Sequence, residues 1–164
     1  MSLMAKIVGV CISDRKGVPK KNIGSAYLEK GLGIKEDAHS GKWHRQISLL
    51  AKESIDKIKS AIRKKFIPPS AGQSEICPGS FAENLTTEGI DLKNLPIGTE
   101  MKIGETVRLR ITQIGKDCHT KCAIFRKIGD CIMPLEGIFA EVLQSGNVKI
   151  GDKIEILSPN GIMS

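Results

Sequence analysis

Glu100-Met-Lys-Ile-Gly-Glu-Thr-Val107-Arg-Leu-Arg-Ile-Thr112 is the stretch whose reading decides the fold. From Val107 to Thr112 apolar and polar side chains alternate without a break, the period of a strand with one face in a core and the other in water. Glu100 to Ile103 and Lys153 to Leu157 are further strands, set apart by Gly98, Gly104 and the pair Gly151-Asp152, which punctuate as turn residues do. Toward the N-terminus, Lys6 to Ser13 carries Ile7, Val8, Val10 and Ile12 and reads as a strand, followed by a polar loop from Asp14 to Asn22 with Gly17 and Pro19. Gln46 to Leu50 is a short apolar strand that runs straight into a helix, in which Ile55, Ile58, Ile62 and Phe66 recur at three and four residues until Pro68-Pro69 ends it. Residues 70 to 80 read as a loop leading to a short strand near Phe81 to Thr86, and Ile138 to Leu143 reads as another strand. Many short strands, regular glycines and one clear helix give a mainly β class, a barrel-like mixed sheet with one or two peripheral helices, over an α/β wound fold.

A length of 164 residues suits one domain. Met1-Ser-Leu ahead of Met4 reads as residues added before a native initiator, residues 4–158 as the domain and 159–164 as a tail. No signal-like leader or apolar run long enough for a membrane helix is present in the sequence, so a cytoplasmic protein without membrane attachment is expected. Five cysteines, an odd number without a secretion signal, point to reduced thiols. The net charge of +7 is drawn largely from Lys52 to Lys65, which a solvated helix face explains. Without aromatic stacking platforms or zinc-finger spacing, the composition argues against nucleic acid.

Three constellations carry chemistry. In Gly115-Lys-Asp-Cys118-His119-Thr-Lys121-Cys122, with Cys131 beyond, thiols lie among Lys116, Lys121, Arg126 and Lys127, surroundings that favour thiolate over thiol. Cys118 can be a nucleophile or sulfur carrier; Cys118, His119, Cys122 and Cys131 can form a structural zinc or iron-sulfur site, although the spacing is not a paired zinc signature; or Cys122 and Cys131 can be buried small hydrophobes. The second constellation, Gly31 to Gln46, sets Asp37, His39, His44 and Arg45 among three glycines, where a backbone can approach a ligand and Arg45 can fork onto phosphate. Asp37 and His39 can equally cap a turn. In the third, Pro78-Gly-Ser-Phe-Ala-Glu83-Asn84-Leu-Thr86, Asn84 can offer a bidentate amide to a heterocycle or satisfy local backbone groups.

Taken in order, these stretches resemble the MOSC domain, named for the C-terminal part of molybdenum cofactor sulfurase. The resemblance spans nearly the whole chain: Gly33 to Leu50, Pro78 to Leu85, Gly115 to His119, Met133 to Phe139 and Gly151-Asp152 match its successive motifs. Glu36 stands where the family usually places glycine, and Ser80 where members often carry a charge. The resemblance implies a pyruvate-kinase-β-barrel-like fold and a site for the molybdenum cofactor (molybdopterin) or for sulfur destined for it. The family's hallmark cysteine falls on Cys118, with Cys122 second, as metal ligand or sulfur carrier. Lys116, His119 and Lys121 would favour its anion, and Arg45, His39, Asp37, Asn84 and Lys121 would face the cofactor. A pyridoxal-phosphate site is not expected in this chain, so a separate pyridoxal-phosphate-dependent cysteine desulfurase would deliver the sulfur and molybdoenzymes would receive it. A non-catalytic cofactor-binding or carrier protein is the alternative within the family.

Overall fold

The computed structural model describes residues 4–65, 76–115, 133–158 and 161–162. Its alternating stretch is a hairpin of β7 (Glu100–Ile103) and β8 (Val107–Ile114). Val107, Leu109 and Ile111 are buried while Arg108 and Arg110 are exposed, as a half-buried strand requires. On the other side β8 pairs with β9 (Ile138–Gln144). There Arg110 stands opposite Glu141 and its guanidinium closes on that carboxylate at 2.7 Å.

The hairpin belongs to a nine-stranded sheet. Beyond β9 come β5 (Ile47–Ala51), β6 (Leu85–Glu88), β1 (Lys6–Ile12) and β2 (Lys21–Asn22); beyond β7 come β11 (Ile154–Ser158) and β12 (Gly161–Ile162). β5 and β6 run parallel and α1 (Lys52–Lys65) lies between them in sequence, the crossover that a parallel pair needs. Every residue of β5 is buried because it faces two cores. Ile47, Leu49 and Ala51 join the main interior with Ile7, Leu85, Leu109 and Val142. Leu50 joins a second cluster with Ile55 and Ile58 of α1, Phe81, Met133 and Phe139. A strand buried on both faces loses the apolar-polar alternation and reads as a continuous apolar run.

The sheet curls until β1 meets the start of β11. Lys6 bridges Lys153, the Ile7 amide donates to Asp152 O at 2.9 Å and the Ile154 amide to Ala5 O at 2.9 Å. The result is barrel-like, with a local seam in place of a full closing ladder. A smaller sheet of β10 (Gly146–Lys149), β3 (Ser25–Glu29) and β4 (Gly33–Ile34) stands beside it. The four-residue helix α2 (Met133–Glu136) precedes β9. Among the described residues no helix is long and apolar enough to cross a membrane.

Two sequence expectations need correcting. The strand expected near Phe81 begins only at Leu85, because residues 77–82 form a tight turn with Ser80 N bonded to Cys77 O and Ala82 N to Gly79 O, each at 3.0 Å. Ala82 takes φ 64 within it, which extended backbone forbids. The polar loop after β1 ends early, since Lys21 and Asn22 pair with Ile12 and Cys11.

Candidate functional site

Three stretches far apart in sequence meet beyond the C-terminal end of β1: the loop following that strand, the segment from β4 to β5, and the turn before β6. Gly79 shows how closely they press. A Cβ there would stand 2.1 Å from Lys20 O, and the Lys20 amide donates to Gly79 O at 2.8 Å. Gly33 makes a similar approach to Gln46 O, where a Cβ would stand at 2.7 Å, so the segment carrying Asp37 and His39 folds back on its own exit.

This contact buries a lysine. The Lys20 and Asp37 side chains keep 0% and 1% of their surfaces, and Lys20 Nζ lies 2.7 Å from Asp37 Oδ1. Oδ1 also accepts the Ser13 amide at 3.0 Å and Oδ2 accepts the His39 amide at 3.0 Å. Burial alone would raise the Asp37 pKa, but hydrogen bonds from His39 and Lys20 and the Lys20 charge outweigh it and hold the carboxyl below the ordinary carboxylate range. Burial pulls the Lys20 pKa down against the opposing pull of Asp37. His39 Nδ1 faces Lys20 Nζ at 3.0 Å.

Trp43 links His39 to two cations. Trp43 Nε1 donates to His39 O at 2.8 Å, and the two rings lie parallel, 6.4 Å apart between centroids. Lys16 Nζ and Arg45 Cζ each lie 4.6 Å from the Trp43 ring centroid, within cation–π range. Arg45 also faces the Phe139 ring at 5.7 Å. Arg45 Nε is buried without a hydrogen-bond partner among the described residues, an exception among buried polar groups that calls for an acceptor. His44 points elsewhere: its Nε2 meets Gln113 Oε1 at 2.7 Å, and its carbonyl accepts from Thr112 Oγ1.

Asn84 is fully buried. Its Nδ2 donates to Cys11 O at 3.0 Å and its Oδ1 accepts the Ser48 amide at 2.9 Å, so its amide ties β1 to β5. Neighbouring Glu83, also at 0% exposure, accepts Thr86 Oγ1 at 2.7 Å and the Phe81 amide at 3.3 Å. Burial pushes its carboxyl up against these bonds. Cys11 beside it is buried and its thiol is likewise pushed up by burial, which makes it inert; Cys77 is exposed.

Of the residues the sequence singles out, Asp37 and His39 are bonded to each other, Arg45 lies on the Trp43 ring next to His39, and Asn84 is buried between β1 and β5. Lys116, Cys118, His119, Lys121, Cys122 and Cys131 lie outside the described residues. Among the described residues no group of three or more His, Cys, Asp or Glu side chains could hold a metal ion. The chain enters the cysteine segment from Gly115, whose amide donates to Gly137 O at 2.7 Å and whose carbonyl accepts from Gln113 Nε2 at 2.8 Å. That same Gln113 holds His44. Lys20, Lys16 and Trp43 escape a sequence reading: Lys20 and Lys16 sit in a polar stretch that reads as solvated loop. Trp43 lies within a quoted motif, but nothing local marks it as a stacking partner.

The family model described as MOSC domain matches residues 36–155. The YUAD protein from Bacillus subtilis has a similar structure, with a TM-score of 0.74 and 22% identity over 94% of this chain and 96% of that one. YiiM from Escherichia coli superposes with a TM-score of 0.66 at 15% identity over 95% of this chain and 70% of that one. YiiM from Geobacillus stearothermophilus does so at 0.60 and 16% over 96% and 75%. No curated protein sequence matches the chain.

Proposed function

Since the chain belongs to the MOSC domain family, whose biology is that of the molybdenum cofactor, we propose that it is a sulfur carrier for that cofactor, with Cys118 as the persulfide-bearing thiol. The observation that supports this reading is the pair of cations, Lys16 and Arg45, on the Trp43 ring next to His39, with Arg45 Nε buried and without a partner among the described residues, on a segment tied through His44 and Gln113 to the end of β8, from which the cysteine segment leaves. Cys118 follows Gly115 by three residues, a stretch that spans at most about 11 Å.

The donor set fits the anionic part of molybdopterin. Arg45 would fork onto the phosphate, His39 would add a hydrogen bond, Asp37 would hold His39, and Asn84 would keep β1 and β5 in register. When bound, the cofactor would supply the molybdenum that receives sulfur. Lys116, His119 and Lys121 would favour the Cys118 thiolate. That thiolate attacks the outer sulfur of a persulfide on a pyridoxal-phosphate-dependent desulfurase; the new bond is between Cys118 Sγ and that sulfur, the sulfur–sulfur bond of the donor breaks, and the donor cysteine leaves as thiolate. No oxidant is needed. Molybdoenzymes are the recipients in this scheme, and the protein acts in the cytoplasm.

Incubation with a cysteine desulfurase and cysteine tests the reading: intact mass should rise by one sulfur atom, reversibly by thiol reduction, and Cys118→Ala should not load. Equal loading of that variant moves the role to Cys122. Arg45 Nε, without a partner among the described residues, also favours a second reading, a carrier that holds assembled cofactor with Cys118 as a molybdenum ligand. Stoichiometric molybdenum and pterin in protein from a cofactor-competent host would mark it.

A further inference from the structure

We propose that Lys20 is a positioning residue that fixes the tautomer of His39, so that Nδ1 is the acceptor and Nε2 carries the proton as a donor toward a bound oxyanion. An ammonium has three protons and no lone pair. Lys20 Nζ has three neighbours to receive them: Asp37 Oδ1 at 2.7 Å, Ser13 Oγ at 3.1 Å and His39 Nδ1 at 3.0 Å. The Ser13 hydroxyl donates its own proton to Arg15 O at 2.8 Å, which leaves its lone pairs to Lys20. The set closes only if Nδ1 also accepts.

The alternative is the familiar carboxylate-oriented histidine, with an Nδ1 proton directed at Asp37. Here Nδ1 lies 3.6 Å from Asp37 Oδ2, too long for a hydrogen bond, and that oxygen already accepts the His39 amide at 3.0 Å. A proton on Nδ1 would also confront the Lys20 ammonium at 3.0 Å. A neutral Lys20 would relieve that clash, but it would leave Asp37 ionised and buried without its counterion, which is costly. Nε2, for its part, has no hydrogen-bond partner among the described residues, and the His39 side chain keeps 13% of its surface exposed.

His39 then cannot serve as a general base through its outer nitrogen. It offers a neutral N–H next to the Trp43 ring, on which the Lys16 and Arg45 cations lie, and a neutral N–H is a donor for a phosphate-type oxyanion. The ligand half of this inference rests on the anion reading proposed above, while the tautomer is set within the protein.

The experiment is a two-bond proton–nitrogen correlation on the full chain with labelled histidine at about pH 8, above the ordinary histidine pKa of ~6.5, with His39→Gln to assign the signals. His39 should show a pyrrole-type Nε2 and a pyridine-type Nδ1, and Lys20→Met should shift it toward the Nδ1–H form while His44 is unchanged. A pyrrole-type Nδ1 or an imidazolium in the wild type overturns the proposal, a result that does not depend on the variant folding. Titration with inorganic phosphate separates the two halves. Displacement of the His39 signals supports the oxyanion donor, whereas a correct tautomer with no displacement overturns the anion reading alone.

Discussion

Lys20 and Asp37 form an ion pair at 2.7 Å with at most 1% of either side chain exposed. Two charges withdrawn this far from water stabilise each other only as a pair. Ser13 and His39, which bond to both residues, complete the coordination, and the corner that His39 shares with Trp43 and Arg45 is built on it.

Asp37→Asn leaves the Lys20 charge buried and unmatched, and should cost about 3–5 kcal/mol of unfolding free energy. Denaturant titration of the variant against wild type measures it. A loss below ~1 kcal/mol would show that Lys20 is neutral or finds another partner.

The same pair sets an acid limit. The Asp37 pKa in the folded protein lies below its ordinary value, which is about 3.9 when unfolded. As pH falls past that ordinary value the unfolded chain takes up the proton first, and stability declines until the folded-state pKa is passed. Thermal unfolding should therefore lose midpoint below about pH 4, and Asp37→Asn should flatten that slope.

Gly79→Ala forces a Cβ to within 2.1 Å of Lys20 O at a backbone φ of 93, so the turn must pull away from the loop that buries Lys20. A loss of at least about 2 kcal/mol is expected, from strain and from the opened ion pair. Ala82, at φ 64, behaves oppositely. Ala82→Gly relieves left-handed strain while giving up a buried methyl, and should leave the unfolding free energy within ~1 kcal/mol of wild type, whereas Ala82→Val should cost about 1–3 kcal/mol, both read by denaturant titration.

Arg45→Lys keeps the charge but loses the planar fork and weakens the stacking on Trp43. Phosphate affinity should fall about tenfold, equivalent to ~1.4 kcal/mol, with little change in unfolding midpoint. Calorimetric titration with inorganic phosphate and a melting curve of each protein check both halves.

The framework of this fold is legible because its signals are local. Val107 to Ile111 alternates in the sequence as it does in the sheet, and the apolar run of β5 leads into Ile55 and Ile58 on the buried face of α1. The small sheet is different. Ser25–Glu29 finds its partner in Gly146–Lys149, and nothing within either segment announces a pairing across that distance. Lys20 shows the same limit in the site: its neighbours along the chain are polar, and its burial is created by Asp37 and by the Gly79 turn. Asn84 has the hydrogen-bonding capacity that suggests a ligand amide, yet that capacity is engaged by Cys11 and Ser48. Asp37, His39 and Arg45 were within reach because one glycine-rich stretch carries all three.

The most direct test of the proposed function is the intact mass of wild type and Cys118→Ala after exposure to a cysteine desulfurase and cysteine. One added sulfur atom on the wild type, removed by a thiol reductant and absent from the variant, is the expected result. Wild-type protein that gains no sulfur while the desulfurase itself is loaded, or a variant that gains as much as wild type, would contradict it.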